Sequence, residues 1–496
     1  MSIMAHSTPA SQGVDSRRIE AFLDAIEASP NSEPHSLMIL RHGHVVAQGW
    51  WAPYTSDRRQ LLYSLSKSFT GTAAAFAYAE GLLRLDDPVI SYFPEFEAEI
   101  TDPGSRSILV RHVLSMASGH SEEQWEIAVT QAPDEPVRGF LLSGPDGEPG
   151  SVFAYNQPCT YTVAAIVQRA TGQRLVDYLR PRLFEPLGIG EVAWQQYPAG
   201  RDIGFTGLHA TTDAIAKLGQ LYLQRGVWEG VRLLSEAWVE QATRAQVDNS
   251  ELGWGPDWSQ GYGFQFWISR HGYRGDGAYG QYCVILPEQD AVIVMTSETF
   301  DMQAVLDLVW EHLLPAFDED AVADAEAAAQ ADEALAKRLA ELEVPVCVGS
   351  AAPQSVVEGI GQGALVFTAI DGDGPVSAVQ LEQCPDDSGD WMIGITERTD
   401  SVEELERGYE DFPRGTLTLR LSPGNGWRTS GPGDTPTAVS GGWVDADTLR
   451  FDVLFLETPH RVHVTCDLAR RTVEARYRTT PLRASSLTWL RAPNIA

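Results

Sequence analysis

Apolar and polar positions alternate with a helical period over residues 14–28, which predicts an amphipathic helix begun by Asp15 or Ser16. Two apolar runs follow at 36–40 and 45–50, joined by Arg41-His42-Gly43-His44, and this pattern predicts a β-hairpin. His42 and His44 read as turn residues, since no further ligand cluster accompanies them. Helices are expected at 107–116, 159–170, 175–184 and 211–225, the last with Thr212 as a cap. The runs 263–268, 281–286 and 291–296 predict a three-stranded antiparallel meander.

If the early hairpin and the late meander pair, residues 1–316 form an α+β domain. It would hold an antiparallel sheet flanked by helices, with an inserted helical region. The Ala-, Glu- and Asp-rich stretch 317–343 reads as a solvated helical linker. From 344 to 496, short alternating segments at 364–370, 391–396, 416–421, 448–456, 461–467, 472–478 and 486–490 predict an all-β antiparallel barrel or sandwich. His460 and His463 in it read as solvent-facing or satisfied core residues.

Composition narrows the function. The 496 residues carry a formal net charge of −32, which repels nucleic acid and anionic membrane surfaces alike. Hydrophobic residues make up 43% of the chain, enough for large cores. Cys159, Cys283, Cys347, Cys384 and Cys466 are odd in number and contain no C-x-x-C pair, so neither a disulfide framework nor structural zinc is expected. The first residues lack the pattern of a secretory signal and no apolar run is long enough to span a membrane, which points to the cytoplasm. No cofactor or metal is implied.

Candidate chemistry begins at one of only three lysines. Lys67 stands three residues after Ser64 in Tyr63-Ser64-Leu65-Ser66-Lys67-Ser68-Phe69-Thr70, and a helix opened by Ser64 would bring hydroxyl and amine together. An alcohol needs a neighbour to take its proton, and a lysine can do this only when its pKa is lowered. The Ala-rich flank 71–79 reads as a buried helix whose N-terminal dipole suits an oxyanion. Local sequence leaves a second reading open, with Ser64 an N-cap and Lys67 solvated.

Tyr155, in Phe153-Ala154-Tyr155-Asn156-Gln157, sits between a turn and a helix, where a phenolate could serve as a base or an aromatic ring could simply pack. Farther on, His271-Gly272-Tyr273-Arg274-Gly275-Asp276-Gly277 offers glycines that let a strand edge approach a substrate carbonyl; a sharp hairpin turn would explain them equally.

In this order the three segments resemble the serine β-lactamase-like hydrolase superfamily, in its class C β-lactamase, D-aminopeptidase and esterase branch. Family-like stretches at 61–71, 80–89, 110–119 and 185–189 extend the likeness over about 14–315. The resemblance implies Ser64 as acylated nucleophile, Lys67 as base and Tyr155 as partner base and proton donor. It also implies an oxyanion hole from the Ser64 N–H and a strand N–H near Gly277. Asn156, Gln157, His271, Asp276 and Gly277 are the candidate substrate contacts. Gln157, not Asn, holds the family's second-motif amide position, and Gly275-Asp276-Gly277 has no base unless His271 is realigned. These departures favour esters or small amides over β-lactams and DD-peptides. A penicillin-binding-protein-type thioesterase or transacylase, a D-amino-acid peptidase and a non-catalytic binding protein are the alternatives.

The C-terminal strands resemble the lipocalin-like domain appended to some of these hydrolases. With every candidate catalytic group before Pro315, that domain is expected to govern access or assembly.

Overall fold

The computed structural model describes residues 4–318, 322, 324–360, 363–370, 374–386, 388–398, 416–431, 433–483 and 486–493. Counts below are of these residues. Asp15 accepts from the Arg17 N–H and caps helix α1 (Ser16–Ala28). After it, β2 (Ser32–Arg41) and β3 (His44–Trp50) form the expected hairpin, turned at His42 and Gly43, both with positive φ.

Four late strands, β4 (Trp267–Ile268), β5 (Tyr273–Gly277), β6 (Gln281–Leu286) and β7 (Ala291–Thr299), continue the sheet, and β1 (Ala5–His6) adds to its far edge. The order β1-β3-β2-β7-β6-β5-β4 joins hairpin and meander through the antiparallel β2–β7 pair, as expected. The meander itself differs. Residues 263–266 are not a strand, because Gln265 takes φ 65° and turns its amide onto the carbonyls of Val113 and Leu114. The glycine-bearing segment is instead a full strand, β5.

Thr211, extended at φ −78° and ψ 160°, caps the helix Thr212–Leu223; Thr212, the expected cap, bonds Ser36 of the sheet at 2.7 Å. The expected helix 107–116 is broken by extended Leu109 into Pro103–Ser107 and Val110–Leu114. Helix α2 (Ser66–Ala79) is buried over all but its last two residues, and packs on α3 (Gln157–Thr171). Glycine lets the helix approach the 263–266 segment on another side: a Cβ on Gly71 would lie 3.0 Å from the Cβ of Gln265.

The acidic connecting helix Ala325–Ala340 is less solvated than its composition suggests. Ala328, Ala331 and Leu335 are buried where it lies on α1 and β3, because alanine on that face admits close packing. Beyond it, nine strands run in the order β11-β10-β9-β8-β16-β15-β14-β13-β12: β8 (Leu365–Ala369), β9 (Val376–Gln383), β10 (Trp391–Glu397), β11 (Leu417–Leu421), β12 (Arg428–Thr429), β13 (Thr437–Trp443), β14 (Thr448–Phe455), β15 (Arg461–Asp467) and β16 (Thr472–Tyr477). The Gly424 N–H donates to the Gly441 carbonyl at 3.0 Å, bringing the ends of this sheet into a nearly closed barrel. Strands β9 and β13 escaped the pattern reading, one through its polar alternation and the other through Ser440-Gly441-Gly442. The expected strand at 486–490 is a 3₁₀ turn, Leu487–Trp489. Among the described residues no helix is long and apolar enough to cross a membrane.

The barrel sits against the first domain. The Leu61 N–H donates to the Glu457 carbonyl at 2.8 Å, and Arg461 pairs with Glu33 of β2. The Thr479 N–H donates to Glu298 of β7 at 2.9 Å.

Candidate active site

Ser64 does not open the α-helix. It lies on a 3₁₀ turn, Tyr63–Leu65, just before α2, with Tyr63 at φ 47°, a costly conformation for a bulky residue. Neighbours on both sides hold the turn in place. The Leu62 N–H donates to the Leu208 carbonyl at 2.8 Å, and the Leu208 N–H returns a bond to the Ser66 hydroxyl at 3.1 Å. Ser68 and Thr70 donate to the carbonyls of Gln265 (2.9 Å) and Gly204 (2.8 Å), so the hydroxyls around the motif anchor α2 in the core.

The three-residue spacing still brings the pair together: Lys67 Nζ lies 2.9 Å from Ser64 Oγ and 2.9 Å from the Phe205 carbonyl oxygen. Lys67 is only 1% exposed, which removes the reading of a solvated first-turn lysine, and the N-cap position of α2 is held by Leu65 rather than Ser64. Burial, with help from the positive charge of Arg483, lowers the ammonium pKa to about 7 against the carboxylates of Asp276 and Glu123. Near neutrality Lys67 therefore carries a lone pair beside the serine hydroxyl.

The ring of Tyr155 lies 4.7 Å from Lys67 Nζ and stacks on Trp267 at 5.1 Å. Burial and then the nearby Asp276 charge raise its pKa far above that of free tyrosine, outweighing a hydrogen bond with Ser64. The phenolate considered from sequence is thus disfavoured, and Tyr155 stands as a neutral O–H donor.

The other candidates divide. Gly277 packs on the nucleophile turn so tightly that a Cβ there would lie 2.1 Å from the Leu62 carbonyl oxygen and 3.1 Å from the Leu65 nitrogen. Its neighbour Asp276 is buried, pairs with Arg274 at 2.9 Å, and has its pKa raised by burial in spite of Arg274 and Lys67. Asn156 is fully buried; its Oδ1 accepts from the Gln124 N–H at 3.0 Å while Nδ2 has no partner. Gln157 begins α3 with its N–H on Glu123, and its Oε1 has no partner. His271 is a correction: it lies exposed beyond the opposite end of β5, against Trp310 at 5.0 Å. Six residues of extended chain separate it from Gly277, roughly 20 Å.

Sequence reading missed the Phe205 carbonyl, Glu123 and Arg483. None belongs to a local motif; each arrives through tertiary packing. Arg483 comes from the second domain, whose expected part is access or assembly, and its charge is felt at Lys67.

The Beta-lactamase family model matches residues 23–314. The chain is 27% identical over 296 residues to the 6-aminohexanoate-dimer hydrolase of Paenarthrobacter ureafaciens, covering 53% of this chain and 72% of that protein. It is 26% identical over 208 residues to Esterase EstB of Burkholderia gladioli, covering 36% of this chain and 53% of that protein. The structure of an octameric penicillin-binding protein homologue from Pyrococcus abyssi superposes with a TM-score of 0.50 at 15% identity, over 94% of this chain and 98% of that one. At that identity the likeness concerns the fold, and it extends across both domains.

Proposed function

The chain belongs to the beta-lactamase family, and from that premise we propose that it hydrolyses carboxylic esters or small amides through an acyl-enzyme on Ser64. The observation that carries this is the 2.9 Å contact between Ser64 and a buried lysine whose pKa is brought to about 7. The neutral amine of Lys67 takes the hydroxyl proton as Ser64 Oγ bonds to the substrate carbonyl carbon. The developing oxyanion faces the Ser64 turn and the edge of β5 at Gly277, where backbone N–H groups are the available donors. Tyr155 passes its proton to the leaving oxygen or nitrogen as that bond breaks, and is reprotonated by the Lys67 ammonium. Water then attacks the acyl-enzyme carbonyl, giving a proton to the same amine; as the bond to Ser64 Oγ breaks, the Lys67 ammonium returns that proton to Oγ and the acid leaves.

The relatives named above include an esterase and a hydrolase of an aminohexanoate dimer, which supports esters and small amides as the substrate class. The one cation on the strand facing the nucleophile, Arg274, is paired with Asp276, which supports substrates without a carboxylate of the penicillin type. A protein that merely bound ligands would gain nothing from burying an amine at the cost of its charge. Turnover of a panel of p-nitrophenyl esters and small anilides by the full chain tests the reading. A folded wild-type protein that turns over none of them, or a Ser64→Ala variant as active as wild type, would overturn it.

A further inference from the structure

Glu33 of β2 and Glu298 of β7 stand directly opposite each other in the antiparallel register, on one face of the sheet, and both are buried. Residues so paired have Cβ atoms about 5 Å apart, a separation at which two carboxylates repel. The cations nearby answer only one of them. Arg461 of β15 pairs with Glu33 and also holds Asp452 of β14, which contacts His463 Nδ1 at 2.6 Å. Arg478, just beyond β16, stays 3.7 Å from Glu298 Oε2, outside hydrogen-bond distance, and donates instead to the Pro30 carbonyl at 3.2 Å. His35 of β2, 3.7 Å from Glu33, is fully buried with neither ring nitrogen hydrogen-bonded, and burial keeps it neutral. The Tyr54 hydroxyl is likewise buried and unpartnered. Against its burial, His35 and Arg461 hold the Glu33 pKa below the ordinary range. Burial and then the Glu33 charge push Glu298 well above it. One proton therefore serves two carboxyls, and Glu298 carries it.

The same side chain anchors the barrel segment that reaches the nucleophile. Glu298 Oε1 accepts both the N–H of Thr479, at 2.9 Å, and its hydroxyl. The proton is left to Oε2, which has no partner. The Thr479 carbonyl is 3.1 Å from His460 Nδ1, and the other nitrogen of that ring bonds the Tyr63 hydroxyl. One residue on, the Thr480 carbonyl accepts from Tyr279 at 2.5 Å. Tyr63 precedes Ser64 and Tyr279 follows Gly277 by two residues; both take the left-handed conformation, at φ 47° and 67°, and their rings meet edge-on at 5.2 Å. Such bulky residues keep that conformation only where their surroundings impose it. Both sides of the expected oxyanion hole are thus braced by residues 479–480. Tyr63, Tyr279, Tyr477 and His460, the other titratable groups around this segment, are all neutral and offer no charge to offset an ionised Glu298.

We propose that Glu298, held as the neutral acid opposite the Glu33 carboxylate, is a positioning residue for Ser64: it anchors Thr479, and through His460 and Tyr63 the barrel then fixes the nucleophile turn. This rests on the acyl-enzyme reading above. Loss of the Glu298 proton sets two like charges side by side and loosens the anchor.

The test compares full-chain wild type, Glu298→Gln and Glu298→Ala. Glutamine keeps an acceptor for Thr479 and cannot ionise, whereas alanine removes the anchor. With a p-nitrophenyl ester at pH 8, Glu298→Gln is expected to keep kcat within about threefold of wild type, while Glu298→Ala loses roughly tenfold or more in kcat with little change in KM. Between the ordinary value of 4.5 and its raised value in the fold, Glu298 binds a proton in the folded protein that the unfolded chain does not, so this group makes stability fall as pH rises. Urea midpoints of wild type should therefore drop relative to those of Glu298→Gln between pH 5 and pH 8, the contribution of Lys67 being common to both. A gap that does not change with pH, Glu298→Gln as slow as Glu298→Ala, or Glu298→Ala as fast as wild type would overturn the proposal. Should Glu298→Ala not fold, Thr479→Val takes its place and is held to the same loss in kcat. If wild type cleaves no ester, the acyl-enzyme reading fails separately and the urea gap alone decides: a fall with pH supports the proton-held anchor, and a flat gap overturns it.

Discussion

The hydroxyl of Tyr63, one residue before Ser64, donates to Nε2 of His460, 397 positions along the chain, at 2.5 Å. His460 Nδ1 lies 3.1 Å from the Thr479 carbonyl, which fixes the tautomer that leaves Nε2 as acceptor. Burial lowers the His460 pKa to about 3, so the ring remains neutral at any working pH. A buried, uncharged imidazole of the barrel thus supports the left-handed residue that sets the nucleophile turn.

Tyr63→Phe should therefore cost about 1–3 kcal/mol, the price of an unsatisfied buried acceptor, and should lower kcat by moving Ser64. Urea unfolding and steady-state kinetics of the variant measure the two effects. For the same reason a chain ended near Phe317 should lose its acylation chemistry: Tyr63, Tyr279, Glu33 and Glu298 would all lose partners from the barrel. Reaction of a folded, monodisperse truncation with a serine-directed phosphonate at the wild-type rate would contradict this.

The pH dependence follows from Lys67. Its basic form is required, so kcat/KM for a neutral ester should rise with pH through about 7 and fall away below it. Glu123 raises this pKa and Arg483 lowers it. Glu123→Gln should then move the acid limb to lower pH and Arg483→Gln to higher pH. Profiles of the three proteins under conditions where chemistry limits the rate check the signs, and shifts in one common direction would contradict the assignment.

Lys67 also links function to stability. Between about 7 and the ordinary lysine value of 10.5 the unfolded chain binds a proton that the folded one does not, so wild-type stability rises with pH across that window. Lys67→Met lacks this penalty. It should be inactive yet more stable by on the order of a few kcal/mol at pH 7, an advantage that shrinks as pH approaches 10. Thermal unfolding at pH 7 and pH 9.5 measures the difference.

At Gly277 the backbone torsion permits alanine but the space does not. With only 2.1 Å between a Cβ and the Leu62 carbonyl oxygen, Gly277→Ala must push β5 away from the Ser64 turn. We expect kcat to fall by about 10²-fold or more, the scale of losing an oxyanion donor, with a smaller change in KM. A variant with wild-type kcat would remove Gly277 from the site.

The parts of this molecule visible in the sequence are those encoded by local pattern. The Ser64–Lys67 spacing, the hairpin at His42-Gly43 and the strands at 281–286 and 291–296 all follow from periods of two and three to four residues. Lost to such reading were features decided by distant partners. Thr212 looks like a cap until Ser36 claims its hydroxyl, and Gln265 leaves a strand-like run to bond Val113 and Leu114. Tyr155 reads as a base because its motif is polar, while its surroundings of Trp254, Tyr262 and Trp267 keep it protonated. His271 matched a family position by type alone, and the strand carries it to the wrong end.

The most direct test of the central claim is mass spectrometry of the intact protein mixed with a slowly hydrolysed p-nitrophenyl ester, followed by peptide mapping. A single acyl adduct on the Ser64 peptide, absent from Ser64→Ala, is the predicted result. An adduct on another residue, or turnover in which Ser64→Ala matches wild type, would contradict it.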